Sequence, residues 1–157
     1  MKFHSRILLA QKTILALGLI ILLGLIDIPA MASDRFVNNG DGTVTDTKTG
    51  LMWAAKDNGG LINWTDARSY CQSYSGGGHK DWRMPTSAEL TSLYDPEIQN
   101  KRGYHIPKLI GTTAESCWAS ETRGEIAARF NFTYGREYWL RKTHSGVGSV
   151  LPVRSRK

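Results

Sequence analysis

The stretch DWRMPTSAEL, Asp81–Leu90, turns the chain and starts a helix. Its residues 86–89 form a capping-box pattern, in which Thr86 accepts a hydrogen bond from the Glu89 amide and the Glu89 side chain reaches back to the Thr86 amide. Pro85 disfavours a helical conformation at Met84 and fixes the entry of the chain. The pattern therefore predicts a corner from a strand into a helix.

The residues before this proline alternate in character, as they do in a strand. Trp82 and Met84 are predicted to face inward, and Arg83 between them is predicted to pair with a carboxylate or with main-chain carbonyls. Leu90, Leu93 and Tyr94 then follow at helical spacing. Because nothing in this segment supplies a nucleophile with a base, we interpret the corner as structural.

A first helix is predicted upstream, from near Asn63 or Thr65 to near Tyr74. A run of glycines at Gly76–Gly78 ends it. With a helix before it and no Gly-Lys-Ser/Thr motif after it, we interpret the run as a flexible link. The apolar residues at helical spacing are Trp64, Ala67, Tyr70, Cys71 and Tyr74.

Short strands account for the rest of the pattern. Thr43–Asp46 and Leu51–Ala54 flank a turn sequence at residues 48–50 and predict a β-hairpin. Near the C-terminus, Glu137–Lys142 and Val150–Lys157 also have strand character. We expect these last two to be neighbours across one sheet.

The N-terminus has the pattern of a secretory signal peptide over residues 1–32. A basic opening precedes the apolar run Ile14–Ile26, and Ala30-Met31-Ala32 has the small-residue spacing that signal peptidase recognises. The run spans roughly 20 Å as a helix, short of the ~30 Å hydrocarbon core. We predict an exported mature chain, residues 33–157, with no membrane span; an uncleaved anchor is the alternative.

Charge is distributed unevenly along the chain. The whole sequence has 20 Lys and Arg against 14 Asp and Glu. The mature part keeps a net charge of +4, with −2 over residues 33–122 and +6 over residues 123–157. A positive end on an exported domain points to polyanionic partners, such as acidic polysaccharide. The alternative is that these Lys and Arg side chains are only solvent-exposed residues on the outward faces of strands.

Two cysteines, Cys71 and Cys117, remain in the mature chain. An even count in an oxidising compartment favours a disulfide over a metal site or a nucleophile. Closing this loop would stabilise the fold by roughly 4 kcal/mol. Two free thiols, one of them reactive, are the alternative.

Taken together, the motifs resemble the Lcl C-terminal domain family, a bacterial exported family named after a collagen-like adhesin. The resemblance covers about Asp34–Arg154. It rests on five segments: Asp41–Trp53, Asn63–Cys71, Asp81–Leu90, Cys117–Glu121 and Val153-Arg154. The motif positions that we expect to be structural are Trp53, Trp82, Arg83, Pro85, Thr86, Glu89 and Trp118.

This resemblance implies an α+β fold, a compact C-type-lectin-like domain related to the formylglycine-generating enzymes, with two helices flanking short antiparallel sheets. It also implies adhesion through sulfated glycans. The trimerising Gly-X-Y repeats of the adhesin are absent from this chain. Pro152 stands where relatives often carry a cysteine, so Cys71 pairs with Cys117 or stays free.

Other candidate sites have weaker patterns. Trp118, Trp139, Phe130 and Phe132 have strand spacing and are assigned to the core. Three histidines, His79, His105 and His144, lack the pair spacing of a zinc site. No Gly-x-Ser-x-Gly elbow is present. We therefore expect no catalytic residues, no metal and no cofactor.

The sequence thus predicts an exported, non-enzymatic binding or adhesion module for sulfated or acidic glycans, located in the periplasm, on the cell surface or outside the cell. Its partners are an anionic polysaccharide, another cell-surface polyanion or an envelope protein. The alternatives are a structural component of an envelope assembly, and a cysteine- or metal-dependent enzyme of the formylglycine-generating type. The predicted polyanion-binding residues are Arg136, Arg141, Lys142, Arg154, Arg156 and Lys157.

Overall fold

The computed structural model describes residues 34–155. The predicted signal peptide lies outside these residues. The first sheet has four antiparallel strands in the order β1-β2-β3-β7. Its β2–β3 hairpin has the predicted bounds. The strands are β1 (Phe36–Asn38), β2 (Thr43–Asp46), β3 (Leu51–Ala54) and β7 (Val153–Ser155).

The second sheet has three antiparallel strands that follow one another in the chain. They are β4 (Ser116–Arg123), β5 (Ile126–Asn131) and β6 (Arg136–Arg141). The predicted pairing of Glu137–Lys142 with Val150–Lys157 is wrong, because β6 ends this sheet while β7 pairs with β3 in the other. Both segments have strand character, and strand character alone does not specify a partner.

Helix α1 (Trp64–Ser73) confirms the helix predicted from near Asn63 or Thr65 to near Tyr74. The Asn63 side chain accepts a hydrogen bond from the Asp66 amide at 2.9 Å. After the helix, the glycines form a 3-10 turn, Gly76–Gly78, and not only a flexible link. The Trp82 indole nitrogen donates to the Gly76 carbonyl at 3.1 Å, so the turn is tied to the corner that follows.

Helix α2 (Ser87–Leu93) begins with the predicted capping box. The Glu89 amide donates to the Thr86 hydroxyl at 3.1 Å, and the Thr86 amide donates to the Glu89 carboxylate at 2.8 Å. Before the helix, Arg83 forms a two-way backbone bridge with Val153 of β7, at 2.9 and 3.0 Å. The corner therefore joins the helix to the first sheet.

The three-stranded sheet carries a different part of the core on each face. Cys117 and Phe130 pack with Leu90 of α2 in one cluster of buried residues. Trp118, the neighbour of Cys117 along β4, packs with α1 residues such as Ala67 in the other cluster. This alternation follows from the period of two in a strand. The two helices thus cover opposite faces.

These elements confirm the α+β fold with two helices and short antiparallel sheets. Within residues 34–155, no helix combines the length and the apolar character that a membrane crossing needs.

Candidate binding site

The predicted polyanion residues of β6 do not form one surface. Arg136 lies opposite Asn131 of β5, whereas Arg141 lies opposite Ile126. The two arginines are five residues apart, so their side chains leave opposite faces of the sheet and their Cα atoms are separated by roughly 17 Å. Both are exposed, but strand geometry prevents them from gripping one small anionic group together.

Arg154 belongs to the interior and not to a binding surface. Only 7% of the residue is exposed. Its guanidinium donates to both oxygens of Asp81, at 2.7 and 3.1 Å, and contacts the Met52 sulfur at 3.6 Å. The hydrogen bond from Arg154 lowers the pKa of Asp81. The assignment of Arg154 as a ligand contact is therefore corrected, while Arg156 and Lys157 lie outside the described residues.

Lys142 lies beside helix α1, just after the end of β6. Its Nζ atom is 5.1 Å from the centre of the Trp64 ring, and Arg68, one turn along the helix, lies 5.8 Å from that ring by its Cζ atom. The Trp64 amide also donates to the Lys142 carbonyl at 3.0 Å. Two cations therefore gather around one indole, an arrangement favoured by the negative face of the ring.

Next to this indole is a groove of about 540 Å³, which we call the tryptophan groove. It lies between α1, the corner before α2, and β4. Its walls combine an aromatic edge, two guanidinium groups, hydroxyls and an amide. The lining residues are Trp64, Arg68, Gln72, Arg83, Met84, Thr86, Ser120 and Thr122.

The two arginines of the groove differ in charge balance. Arg83 is neutralised by Glu89, whose two oxygens accept at 2.8 and 2.6 Å. Burial acts to raise the pKa of Glu89, but the hydrogen bonds from Arg83 and Thr86 and the positive charge of Arg83 together outweigh it and lower that pKa. Among the described residues, Arg68 and Lys142 have no carboxylate within ion-pair distance. Their charge is available to a ligand.

A second stack of a cation on an aromatic ring lies on the opposite face of the same sheet. Arg123 lies 3.9 Å above the Trp139 ring, and the Trp139 indole nitrogen donates to Glu137 at 2.7 Å. Arg123 and Arg141 both pair with Ile126 of β5, one from each side. Directly paired residues on neighbouring strands point to the same face, so Arg123 and Arg141 place two cations on the face of the sheet that Trp139 occupies.

The two cysteines are free and buried, so the predicted disulfide is corrected. Cys71 lies on α1 and faces one side of the three-stranded sheet. Cys117 lies in that sheet and its side chain is on the other side, toward α2. The side chain that faces α1 from β4 is Trp118, one residue further on. Burial raises the pKa of each thiol to about 12. Neither sulfur has the low pKa that a cysteine nucleophile needs.

Metal-binding side chains do not converge within residues 34–155, where no group of three or more His, Cys, Asp or Glu could hold an ion. Of His79, His105 and His144, His105 lies within hydrogen-bond distance of the main chain: its Nδ1 atom is 2.8 Å from the Ile98 carbonyl oxygen.

A comparison with known families now bears on this geometry. The sequence model of the Lcl C-terminal domain family matches residues 42–154, most of the chain. This chain belongs to the Lcl C-terminal domain family. No curated protein matches it significantly.

The family motifs of this Lcl C-terminal domain lie mostly in the core and at the corner. Trp53 and Trp118 are fully buried, and Trp82 is nearly so. Pro85 is also buried, and its carbonyl accepts a hydrogen bond from the Ser120 amide at 2.8 Å. The motifs therefore mark the fold, and the resemblance to C-type-lectin-like domains stays a prediction.

Sequence reasoning missed most of the tryptophan groove. Trp64, Arg68 and Gln72 follow one another at i, i+4 spacing, which places them on one edge of a helix. Of these three residues, the predicted apolar stripe of the helix includes only Trp64, and the polar pair Arg68 and Gln72 beside it is not assigned a role from the sequence. Ser120 and Thr122 join the groove because β4 packs beside α1, a contact between elements that are far apart in sequence.

Proposed function

We propose that this Lcl C-terminal domain is an exported, non-enzymatic adhesion module that binds anionic glycans in the tryptophan groove. The observation that carries the proposal is the pair of cations, Arg68 and Lys142, held around Trp64 without a carboxylate partner among residues 34–155. The polyanion site is therefore moved from the predicted β6–β7 surface to the groove. Lys142, from the predicted set, does not line the groove but lies against its Trp64.

The chemistry of the groove suits an acidic sugar. The planar guanidinium of Arg68 can donate two parallel hydrogen bonds to a sulfate or carboxylate. Hydroxyls of Thr86, Ser120 and Thr122, with the Gln72 amide, can pair with sugar hydroxyls. Only 8% of Trp64 is exposed, so it positions the cations more than it stacks on a sugar.

Membership of the family supports adhesion. The best-known role that the resemblance implies is attachment through sulfated glycans. The thiols argue against a cysteine enzyme, since both are buried with pKa values of about 12. Exposed charge pairs are individually worth less than ~1 kcal/mol, so affinity requires several contacts and falls with salt.

The test is retention of the purified protein on immobilised heparin. An Arg68→Gln, Lys142→Gln variant should elute at lower salt, with affinity reduced by about 5- to 30-fold for the two lost contacts. The matched control is Lys48→Gln, Lys80→Gln, which removes the same charge from exposed positions outside the groove. Equal elution of the two folded variants would exclude the groove, and no retention of wild type at low salt would exclude anionic glycans.

A further inference from the structure

A second cationic depression lies in the long connection between α2 and β4. Here the chain makes a tight turn at residues 100–103. The Asn100 side chain accepts from the Arg102 amide at 2.9 Å and from the Tyr104 amide at 3.1 Å. The Gly103 amide donates to the Asn100 carbonyl at 3.0 Å. These bonds hold Arg102 and its neighbour Lys101 in a defined turn.

The far end of this connection is attached to the segment that follows β3. The Gly111 amide donates to the Ala55 carbonyl at 2.8 Å, and the Asp57 amide donates to the Gly111 carbonyl at 3.0 Å. The Thr113 amide and hydroxyl donate to the Asp57 carboxylate at 2.6 and 2.9 Å. The walls of the depression are thus fixed by backbone contacts.

Two adjoining cavities, of about 450 and 230 Å³, fill the space between these segments. They share Arg102, Gly111 and Thr112, so we treat them as one site and call it the loop basin. The remaining lining residues are Lys56, Asp57, Gly59, Gln99, Asn100, Lys101, Lys108, Ile110 and Thr113.

The loop basin has an excess of positive charge. Among the described residues, none of its four cations has a carboxylate within ion-pair distance. Its one acid, Asp57, is buried, and its second oxygen accepts from the Gly59 amide at 3.0 Å. That carboxylate is already satisfied. The four cations are Lys56, Lys101, Arg102 and Lys108.

Thr112 contributes a second, independent observation at the basin. The residue is 3% exposed, and its hydroxyl has no hydrogen-bond partner within residues 34–155. A buried hydroxyl without a partner destabilises the fold, so a ligand that accepts from it gains an interaction the protein alone does not make. Because Thr112 lines both cavities, a ligand in the basin would lie next to the residue whose hydroxyl lacks a partner.

We propose that the loop basin binds a small molecule through a phosphate or sulfate group. A group with two negative charges and several acceptor oxygens matches multiple cations and a hydroxyl donor. The larger cavity lies in the size range of small-molecule sites, so it also has room for the organic part. This inference does not rest on the proposed glycan function, since no residue lines both the basin and the tryptophan groove.

The experiment is an NMR titration of the purified protein with inorganic phosphate and, in a second arm, inorganic sulfate, at constant ionic strength set with chloride. The Gly111 and Thr112 amide signals should shift in a saturable way. Stronger saturation in one arm identifies the preferred anion. Equal shifts with chloride alone would overturn the proposal.

Variants distinguish a site from general attraction of anions. Arg102→Gln should weaken phosphate binding about tenfold, whereas the control Lys80→Gln should leave it unchanged. Thr112→Val should also weaken binding while the melting temperature stays the same or rises, because the unpaired hydroxyl is gone. Unchanged phosphate binding in both Arg102→Gln and Thr112→Val would overturn the proposal that the basin binds phosphate.

A further variant separates this inference from the glycan proposal. Arg68→Gln should lower heparin retention without affecting the phosphate titration.

Discussion

Cys117 and Trp118 are adjacent in sequence but lie on opposite faces of the three-stranded sheet. A strand turns each successive side chain by half a revolution, so a shift of one residue decides which group meets helix α1. Trp118 meets it, and its indole nitrogen donates to the Ile62 carbonyl at 2.8 Å. Cys117 is left with the hydroxyl of Ser149 at 3.5 Å as its polar neighbour.

At the residue scale, this placement predicts two unreactive free thiols. Cys71 and Cys117 in the native protein should resist a thiol reagent at mildly alkaline pH, because burial keeps both in the protonated form, with pKa values of about 12. Both should react after unfolding in denaturant. The measurement is the number of thiols modified under native and denaturing conditions, with intact mass as the readout. Recovery of a crosslinked Cys71–Cys117 peptide from the native protein would contradict this arrangement.

At the scale of elements, the start of α2 is the most tightly specified part of the fold. Thr86→Ala removes the side-chain acceptor of the capping box and should lower the free energy of unfolding by about 1 kcal/mol. Urea denaturation measures this loss. Thr65→Ala is the matched control, because Thr65 is exposed near the start of α1 and its change should stay within about 0.5 kcal/mol. Equal losses in the two variants would show that the cap contributes nothing specific.

The sequence predicts these elements well where their signals are local. The caps at Asn63 and Thr86 and the β2–β3 hairpin depend on residues within a few positions of each other. Pairings across long distances were not predictable. β6 and β7 both have strand character in the sequence, and only the packing of the whole domain decides that β7 pairs with β3.

The candidate site was less predictable for the same reason. In the sequence, Arg154 looks like one more cation of a basic tail. In the fold it is buried and paired with the carboxylate of Asp81, a residue distant in sequence. Lys142 stays a predicted polyanion contact at the end of β6, but its neighbours Trp64 and Arg68 lie on another element. The loop basin is formed where two segments of the chain meet, and no pattern in the sequence predicts that contact.

At the scale of the molecule, three arginine–carboxylate pairs hold the first sheet and the corner together. Arg35 pairs with Asp46 across β1 and β2, at 2.7 Å. Arg83 pairs with Glu89 at 2.6 Å, and Arg154 with Asp81 at 2.7 Å. The pKa of each carboxyl is lowered in the folded protein. Each pair is partly exposed, so its contribution is modest in water.

These lowered pKa values fix the direction of the pH dependence. A carboxyl whose folded pKa lies below its unfolded value stabilises the fold fully above the unfolded value, here 3.8 for Asp and 4.5 for Glu. That stability is lost as the pH falls through the lower, folded pKa. The melting temperature should therefore be steady near neutral pH and fall below about pH 4. In a Glu89→Gln variant the fall should be shallower, and an unchanged slope would exclude Glu89 from the acid response.

The strand β7 also bears on how fast the molecule folds. It places Arg154 opposite Met52, residues 102 positions apart. Contacts over such separations must wait for the intervening chain to be ordered, which slows folding relative to helical domains of similar size. The first sheet lacks its fourth strand until the last described residues have left the ribosome. A fragment that ends before Val153 therefore lacks the strand that pairs with β3, and its first sheet should remain open at that edge.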